Sequence, residues 1–147
     1  MFRKITDSFY ASPQIGLADV AAAKDMGITL IINNRPDGEE PSAPQGDAIA
    51  AASSAAGIDY MAIPVTHAGF SRPQIDAMAQ ALEKQDGKIL AYCRSGTRST
   101  LLWALAQTAG GESPRIIAVR AEEAGYDVSP IAMMLDALAA AKTGATK

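Results

Sequence analysis

Short apolar runs alternate with longer stretches of helical periodicity along most of this 147-residue chain. Ile28–Asn33 and Lys88–Tyr92 are continuous apolar or β-branched runs, which are typical of buried strands. Ile58–Ile63 alternates as a third strand, and Phe9–Ala11 predicts a fourth at an edge of the sheet. Strands that alternate with helices at these spacings predict an α/β fold, with a mostly parallel central sheet flanked by helices on both faces.

Capping residues mark the starts of several predicted helices. Ser71 and Gln74 form a capping-box pattern, and two later serines each precede a proline, which is typical of a helix start. The helical patterns span roughly residues 17–26, 47–56, 71–85, 97–110, 114–124 and 130–142. Because no linker or internal repeat interrupts this order, we predict a single domain over residues 1–147, with a frayed tail at residues 143–147.

Composition and charge exclude several classes of partner. The chain is 48% hydrophobic and 20% charged, and its net charge of −3 argues against nucleic acid or an anionic membrane as a partner. No apolar run approaches the ~20 residues of a membrane span, and the first residues lack a signal-peptide core, so we predict a cytoplasmic protein. A single cysteine and a single histidine argue against a disulfide or a structural zinc site, and we expect no metal and no cofactor.

The sole cysteine, Cys93, stands at the end of the strand Lys88–Tyr92 and is followed by a small, polar loop that leads into a helix. A lone cysteine at a strand end is often a small buried hydrophobe. Here the loop can turn its backbone N–H groups inward, with Gly96 free to adopt a positive φ, and the helix N-terminus adds positive potential. Such surroundings favour a nucleophilic thiolate, so we predict that Cys93 is catalytic. The loop residues that would surround it are Arg94, Ser95, Gly96, Thr97, Arg98 and Ser99.

The Cys-x4-Arg spacing suits the binding of an anion. The loop could stabilise a thiolate, a persulfide anion, or an oxyanion such as thiosulfate or phosphate. Arg98 could place two donors on an oxyanion or hold the loop in shape, and Ser99 could donate to the sulfur or to a leaving group. Two further loops, Asn34–Pro41 and Val65–Phe70, are expected beside it, because the carboxyl ends of parallel strands meet at one edge of a sheet.

A family resemblance rests on three segments, Cys93–Ser99, residues 32–40 and residues 63–65. Taken together they resemble the phosphatase-like domain of the β-lactamase hydrolase-like proteins, and the similarity extends over about Phe9–Leu138. That family resembles dual-specificity phosphatases in fold, whereas its active-site loop resembles that of the rhodanese sulfurtransferases, and relatives occur fused to a persulfide dioxygenase domain. The resemblance implies that Cys93 is the nucleophile and that Arg94–Arg98 form the anion-binding loop around it. It also implies a neighbouring loop that contains Asn34, Arg35 and Asp37.

Two features of the sequence favour sulfur transfer over phosphoryl transfer. Cysteine phosphatases resemble one another in a Cys-x5-Arg loop, which is one residue longer and makes room for a tetrahedral phosphate. They also need an acid for the leaving alcohol, and the loop at 66–70 contains no carboxylate, which leaves His67, Asp37 or Glu39 as substitutes. Sulfur transfer needs no such acid. We therefore predict a sulfurtransferase that moves sulfane sulfur from thiosulfate or glutathione persulfide to an external thiol through a Cys93 persulfide.

Two other functions stay open at this point. The first is a cysteine-dependent phosphatase that forms a Cys93 phosphoenzyme, and the second is a non-catalytic carrier of a persulfide or an oxyanion. The predicted partners are a small-molecule sulfur donor, a thiol acceptor and a persulfide dioxygenase. For His67, and for Asp37 with its charged neighbours, a solvated loop is the plain alternative to a role in the site. Tyr126 is interpreted as a capping or interhelix contact.

Overall fold

The computed structural model describes residues 2–144 and contains one five-stranded sheet. Its strands are β1 (Arg3–Thr6), β2 (Phe9–Ser12), β3 (Ile28–Asn33), β4 (Asp59–Ala62) and β5 (Lys88–Tyr92). The strand order is β1-β2-β5-β3-β4, in which β1 pairs antiparallel with β2 and the other pairs are parallel. The predicted α/β fold with a mostly parallel sheet is confirmed.

The helices follow the predicted pattern closely. They are α1 (Leu17–Asp25), α2 (Gly46–Ala55), α3 (Arg72–Lys84), α4 (Thr97–Ala109), α5 (Pro114–Glu123) and α6 (Ala132–Gly144), with a 3-10 turn at Ser129–Ile131 before α6. The capping box before α3 is present, since the backbone N–H of Ser71 donates to Gln74 Oε1 at 2.7 Å and that of Gln74 donates to Ser71 Oγ at 3.5 Å. Because α6 continues to Gly144, only residues 145–147 of the predicted frayed tail lie outside the described residues.

The prediction that Phe9–Ala11 forms an edge strand is wrong. β2 lies between β1 and β5, and the edge is occupied by β1, which the sequence pattern did not indicate. Ile5 is the one buried residue of β1, so this four-residue strand carries no apolar alternation long enough to recognise. In β2, by contrast, all four residues are buried, as expected for a strand covered on both faces.

Helices cover both faces of the sheet, and α4 is the most deeply buried of them. One face packs against α3, α4, α5 and α6, and the other packs against α1 and α2. Trp103 of α4 is fully buried and stacks on Phe9 of β2 with 5.8 Å between ring centroids. Since α4 starts directly after the cysteine loop, it anchors that loop in the core.

In the part of the chain that the structure describes, no helix is long and apolar enough to cross a membrane.

Candidate active site

Three loops meet at the carboxyl edge of the parallel strands, as the sequence predicts. Asn33 at the end of β3 lies opposite both Ala62 and Tyr92, so the three strands end at the same level. The next residue, Asn34, ties these ends together. Its backbone N–H donates to the Tyr92 carbonyl at 2.8 Å, and its side-chain Nδ2 donates to the Ile63 carbonyl at 2.9 Å. Asn34 is fully buried, and its observed contacts are structural.

The backbone of the cysteine loop turns toward the sulfur. Gly96 precedes α4 with φ of 92°, which confirms the predicted positive φ, and its N–H donates to Cys93 Sγ at 3.1 Å. The Gly96 carbonyl accepts from the backbone N–H of Thr100 at 3.0 Å and from its hydroxyl at 2.9 Å. Ser95 and Thr97 are joined by hydrogen bonds across the turn. These contacts place the thiol at the positive end of α4, where an anion is favoured.

A carboxylate holds the arginine of the loop. Arg98 donates from Nη1 and Nη2 to the two carboxylate oxygens of Glu39 at 2.7 and 2.8 Å, and Nη1 also donates to the Val65 carbonyl at 2.7 Å. Arg35 donates from Nε to Glu39 at 2.8 Å and from Nη1 to Gln14 at 2.9 Å. Glu39 therefore joins the loop after β3 to the loop after β5 through Arg98, and it also binds Arg35 of its own loop.

These contacts change the pKa values of Glu39 and Arg98. The hydrogen bond from Arg98 is the largest cause that lowers the pKa of Glu39 to about 2 from its usual 4.5, and the hydrogen bond from Arg35 adds to it against the effect of burial. Glu39 in turn raises the pKa of Arg98, and Cys93 contributes to the same shift. Because Glu39 stays ionised at neutral pH, it does not supply the proton that was considered for it from the sequence.

Glu39→Gln is expected to make the stability of the protein less dependent on acid pH. The Glu39 pKa is depressed in the folded state, so its contribution is present above about pH 4.5 and is lost as the pH falls toward about 2. Since the carboxylate is 30% exposed, we expect a loss on the order of 1 kcal/mol near neutral pH. Urea unfolding of both proteins along this pH range measures the difference.

Glu83→Gln provides the matched control, because Glu83 is exposed on α3 and takes part in no ion pair among residues 2–144. We expect that variant to follow the wild type at every pH. The difference in the free energy of unfolding between wild type and Glu39→Gln should shrink as the pH falls. If it stays constant down to the lowest pH, the charge of Glu39 does not contribute to stability.

A cleft of about 440 Å³ opens beside the loop. Its lining residues are Arg35, Glu39, Glu40, Thr66, His67, Arg94, Ser95 and Arg98. Arg94 and His67 are exposed at its rim, whereas Cys93, which begins the same loop, is fully buried. The cleft thus combines three arginines with two glutamates, and Cys93 begins the loop that supplies two of these arginines without itself lining the cleft. The guanidinium groups can bind an anion.

Asp37 and Ser99, like Asn34, do not line the cleft and form no recorded hydrogen bond with the sulfur. Asp37 accepts the backbone N–H of Gly46 at 2.9 Å and so caps the start of α2. Ser99 is fully buried at the start of α4, and its hydroxyl has no hydrogen-bond partner among the residues that the structure describes. The hydrogen bond from Ser99 to Cys93 that the sequence allowed is therefore not formed in this conformation.

Sequence reasoning missed two residues that support the site. Gln14 accepts from Arg35, and its backbone N–H donates to the Arg94 carbonyl at 3.2 Å. Recognition of β2 as the parallel neighbour of β5 would have placed Gln14 at this edge. Tyr126 donates from its hydroxyl to the Ser95 carbonyl at 3.2 Å, and no pattern in the sequence indicates this contact.

Among the described residues, no group of three or more His, Cys, Asp or Glu side chains is arranged to hold a metal ion.

Comparison with known proteins assigns the family. Residues 1–110 match the family model described as the phosphatase-like domain of the beta-lactamase hydrolase-like protein. The chain belongs to this family. The match begins before Phe9 and ends before Leu138, the limits expected from the sequence resemblance, so α5 and α6 lie outside it.

Similar proteins support the assignment. A beta-lactamase hydrolase-like protein of Xylella fastidiosa (strain Temecula1) is 40% identical over 89 residues, which are 60% of this chain but 21% of that protein. The match to this relative therefore spans about a fifth of its length. A solved structure from Neisseria meningitidis Z2491, of a candidate phosphatase, is 34% identical with a TM-score of 0.81 and covers 92% of this chain and 96% of that chain.

The fold is that of the dual-specificity phosphatases. Human DUSP28 has a TM-score of 0.67, covers 98% of this chain and 99% of its own, and is 18% identical. At that identity the likeness concerns the fold alone. The family resemblance and the dual-specificity-phosphatase-like fold that it implied are both confirmed.

The sulfurtransferase prediction is contradicted by these comparisons. The matched family is phosphatase-like, and the similar Neisseria structure is of a candidate phosphatase. The prediction relied on a loop one residue short and on a missing carboxylic acid. Loop length is a weaker guide than expected, because Arg98 contacts both carboxylate oxygens of Glu39, a two-donor geometry that suits an oxyanion whatever the length of the loop. The sulfur donor, thiol acceptor and dioxygenase partner stay untested predictions.

Proposed function

We propose that this protein is a cysteine-dependent phosphatase that hydrolyses phosphate monoesters through a Cys93 phosphoenzyme. The observation that carries the proposal is the two-donor contact of Arg98 with a carboxylate, next to a thiol that accepts an N–H at the start of α4. A guanidinium that can bind one oxyanion through two parallel hydrogen bonds can bind the oxygens of a phosphoryl group in the same way. The family assignment supports the same chemistry.

In the first step of the proposed mechanism, the Cys93 thiolate attacks the phosphorus of the substrate. A sulfur–phosphorus bond forms as the ester phosphorus–oxygen bond breaks, and the leaving oxygen takes a proton from the His67 imidazolium at the rim of the cleft. The Gly96 N–H and the Arg98 guanidinium stabilise the charge on the transferring oxygens.

In the second step, water releases the phosphoryl group. Neutral His67 takes a proton from the water, the new phosphorus–oxygen bond forms, and the sulfur–phosphorus bond breaks to return inorganic phosphate and the thiolate. The cycle requires a reduced Cys93, which a reducing compartment maintains, so we propose that the protein acts in the cytoplasm.

Glu39 occupies the same face of Arg98 that the substrate needs. For a phosphoryl group to reach Arg98 and the fully buried Cys93, the carboxylate must give up at least one of its hydrogen bonds. Arg35, which also binds Glu39, would hold the carboxylate nearby while the substrate is bound. The pair therefore keeps Arg98 oriented between turnovers without blocking it permanently.

The function is tested by incubating the wild-type protein with p-nitrophenyl phosphate and with an alkyl phosphate, and by measuring phosphate release together with the intact mass after acid quench. We expect phosphate release and the transient addition of one phosphoryl group to the protein. Binding of inorganic phosphate without release from any ester would contradict the proposal.

His67→Gln is expected to slow the alkyl ester far more than the nitrophenyl ester. An alkoxide leaves poorly without a proton, so loss of a general acid costs about 10²-fold or more, whereas p-nitrophenolate leaves unaided. Steady-state kinetics with the two substrates check this ratio. Thr66→Val alters the neighbouring residue of the same cleft without touching an acid and is the control. Equal effects of His67→Gln on both esters would rule out the proton-donor role.

A further inference from the structure

A tyrosine that lies beyond the matched family segment contacts the cysteine loop. Tyr126 follows α5 and is only 8% exposed. Its backbone N–H donates to the Ala121 carbonyl at 2.9 Å, which fixes it to the end of α5. Its hydroxyl donates to the Ser95 carbonyl at 3.2 Å. The family match ends at residue 110, so the segment that supplies this hydroxyl is outside it.

A single peptide group therefore forms one hydrogen bond through its C=O and another through its N–H. The Ser95 carbonyl, which accepts from Tyr126, and the Gly96 N–H, which donates to Cys93 Sγ at 3.1 Å, belong to the same planar peptide unit. No described peptide bond is cis, so the C=O and the N–H of this unit point in opposite directions. A rotation of this unit would turn the carbonyl oxygen toward the sulfur and repel a bound anion.

The space around Gly96 shows independently how closely Tyr126 approaches. With φ of 92°, Gly96 has a conformation that side chains rarely adopt, and a Cβ at this position would also collide with the Tyr126 hydroxyl. The loop backbone and the tyrosine thus lie in direct contact at the point where the N–H turns to the sulfur.

The ring of Tyr126 is held in place from the edge of the sheet. The Arg3 guanidinium of β1 lies 5.4 Å from the ring centroid, and Arg3 Nη1 donates to the Ala124 carbonyl at 3.1 Å. Burial raises the pKa of Tyr126, and the nearby Arg3 opposes this in part. The hydroxyl therefore keeps its proton and stays a donor at neutral pH.

We propose that Tyr126 is a positioning residue, which orients the Ser95–Gly96 peptide so that its N–H points at Cys93 Sγ. The segment after residue 110 thereby completes the active site. The expected kinetic effect rests on the proposed phosphatase function, whereas the effect on the reactivity of Cys93 does not. A hydrogen bond accepted by the carbonyl also strengthens the N–H as a donor, because successive hydrogen bonds polarise one another.

Tyr126→Phe tests the proposal, since it keeps the ring and its contact with Arg3 but removes the hydroxyl. We expect kcat/KM for p-nitrophenyl phosphate to fall about fivefold, the effect of one hydrogen bond. We also expect the pH midpoint for alkylation of the thiol by iodoacetamide to move to higher pH, because the thiolate loses an oriented donor. Cys93 is the only cysteine, so intact mass reports its alkylation without ambiguity.

Tyr10→Phe is the matched control. Tyr10 is equally buried at 8% and lies 5.9 Å from the Lys88 ammonium, but it packs on the opposite face of the sheet. If Tyr126→Phe matches this control in both kcat/KM and the alkylation midpoint, the proposal is wrong. If the wild type releases no phosphate, the alkylation midpoint still tests the positioning role. A shift of the midpoint in Tyr126→Phe but not in Tyr10→Phe supports that role, and an unchanged midpoint in Tyr126→Phe overturns it.

Discussion

Cys93→Ser is expected to reduce phosphate release at least about 10⁴-fold while leaving the binding of inorganic phosphate intact. The sulfur is the nucleophile in the proposed mechanism, and a serine hydroxyl ionises far less readily than a thiol and is the weaker nucleophile. The groups proposed to bind the anion are the Gly96 N–H and the Arg98 guanidinium, and neither is altered by the substitution. Serine is close to cysteine in size, so the buried loop should keep its conformation.

Phosphate release and isothermal titration with inorganic phosphate measure the two properties separately. The control is the wild type after alkylation of its sole cysteine, which should lose both turnover and phosphate binding because the added group occupies the site. Turnover by Cys93→Ser at a rate comparable with that of the wild type would exclude the phosphoenzyme. If Cys93→Ser loses both phosphate binding and turnover, the thiol also shapes the anion site.

Arg98→Lys is expected to lower kcat/KM about 10²- to 10³-fold, although the positive charge is kept. Lysine cannot reproduce the planar pair of donors that Arg98 places on the two oxygens of a carboxylate. We expect this loss of kcat/KM to exceed the loss caused by substituting Arg35 or Arg94, the other arginines of the cleft. The reason is that Arg98 lies in the cysteine loop and is close enough to Cys93 for Cys93 to raise its pKa.

Arg94→Lys is the matched control for this variant. Arg94 belongs to the same loop and the same cleft, but it is exposed and forms no ion pair among residues 2–144. We expect its kcat/KM to change by less than about tenfold, the scale of an exposed charge. Equal losses in the two variants would mean that the cleft attracts the substrate through net charge and that the two-donor geometry of Arg98 is unimportant.

The sequence by itself predicted the parts of this protein that depend on local pattern. Ile28–Asn33 and Lys88–Tyr92 are long enough and apolar enough to indicate strands, and both have the predicted bounds. Because parallel strands end at a common edge, the loops that follow them could be brought together without coordinates. Gly96 was expected to allow a positive φ in the tight loop after Cys93, and it has one.

Tertiary structure decided the features that depend on which distant groups meet. The sequence allowed Glu39 to act as an acid, and only the packing of two loops brings it to Arg98 and thereby lowers the Glu39 pKa to about 2. β1 is too short to show a pattern, so the inner position of β2 was not predictable. Tyr126 reaches the loop from 31 residues away along the chain, a separation over which no periodicity carries information. Local propensity determines elements and turns, whereas contacts between elements arise only when the whole core packs.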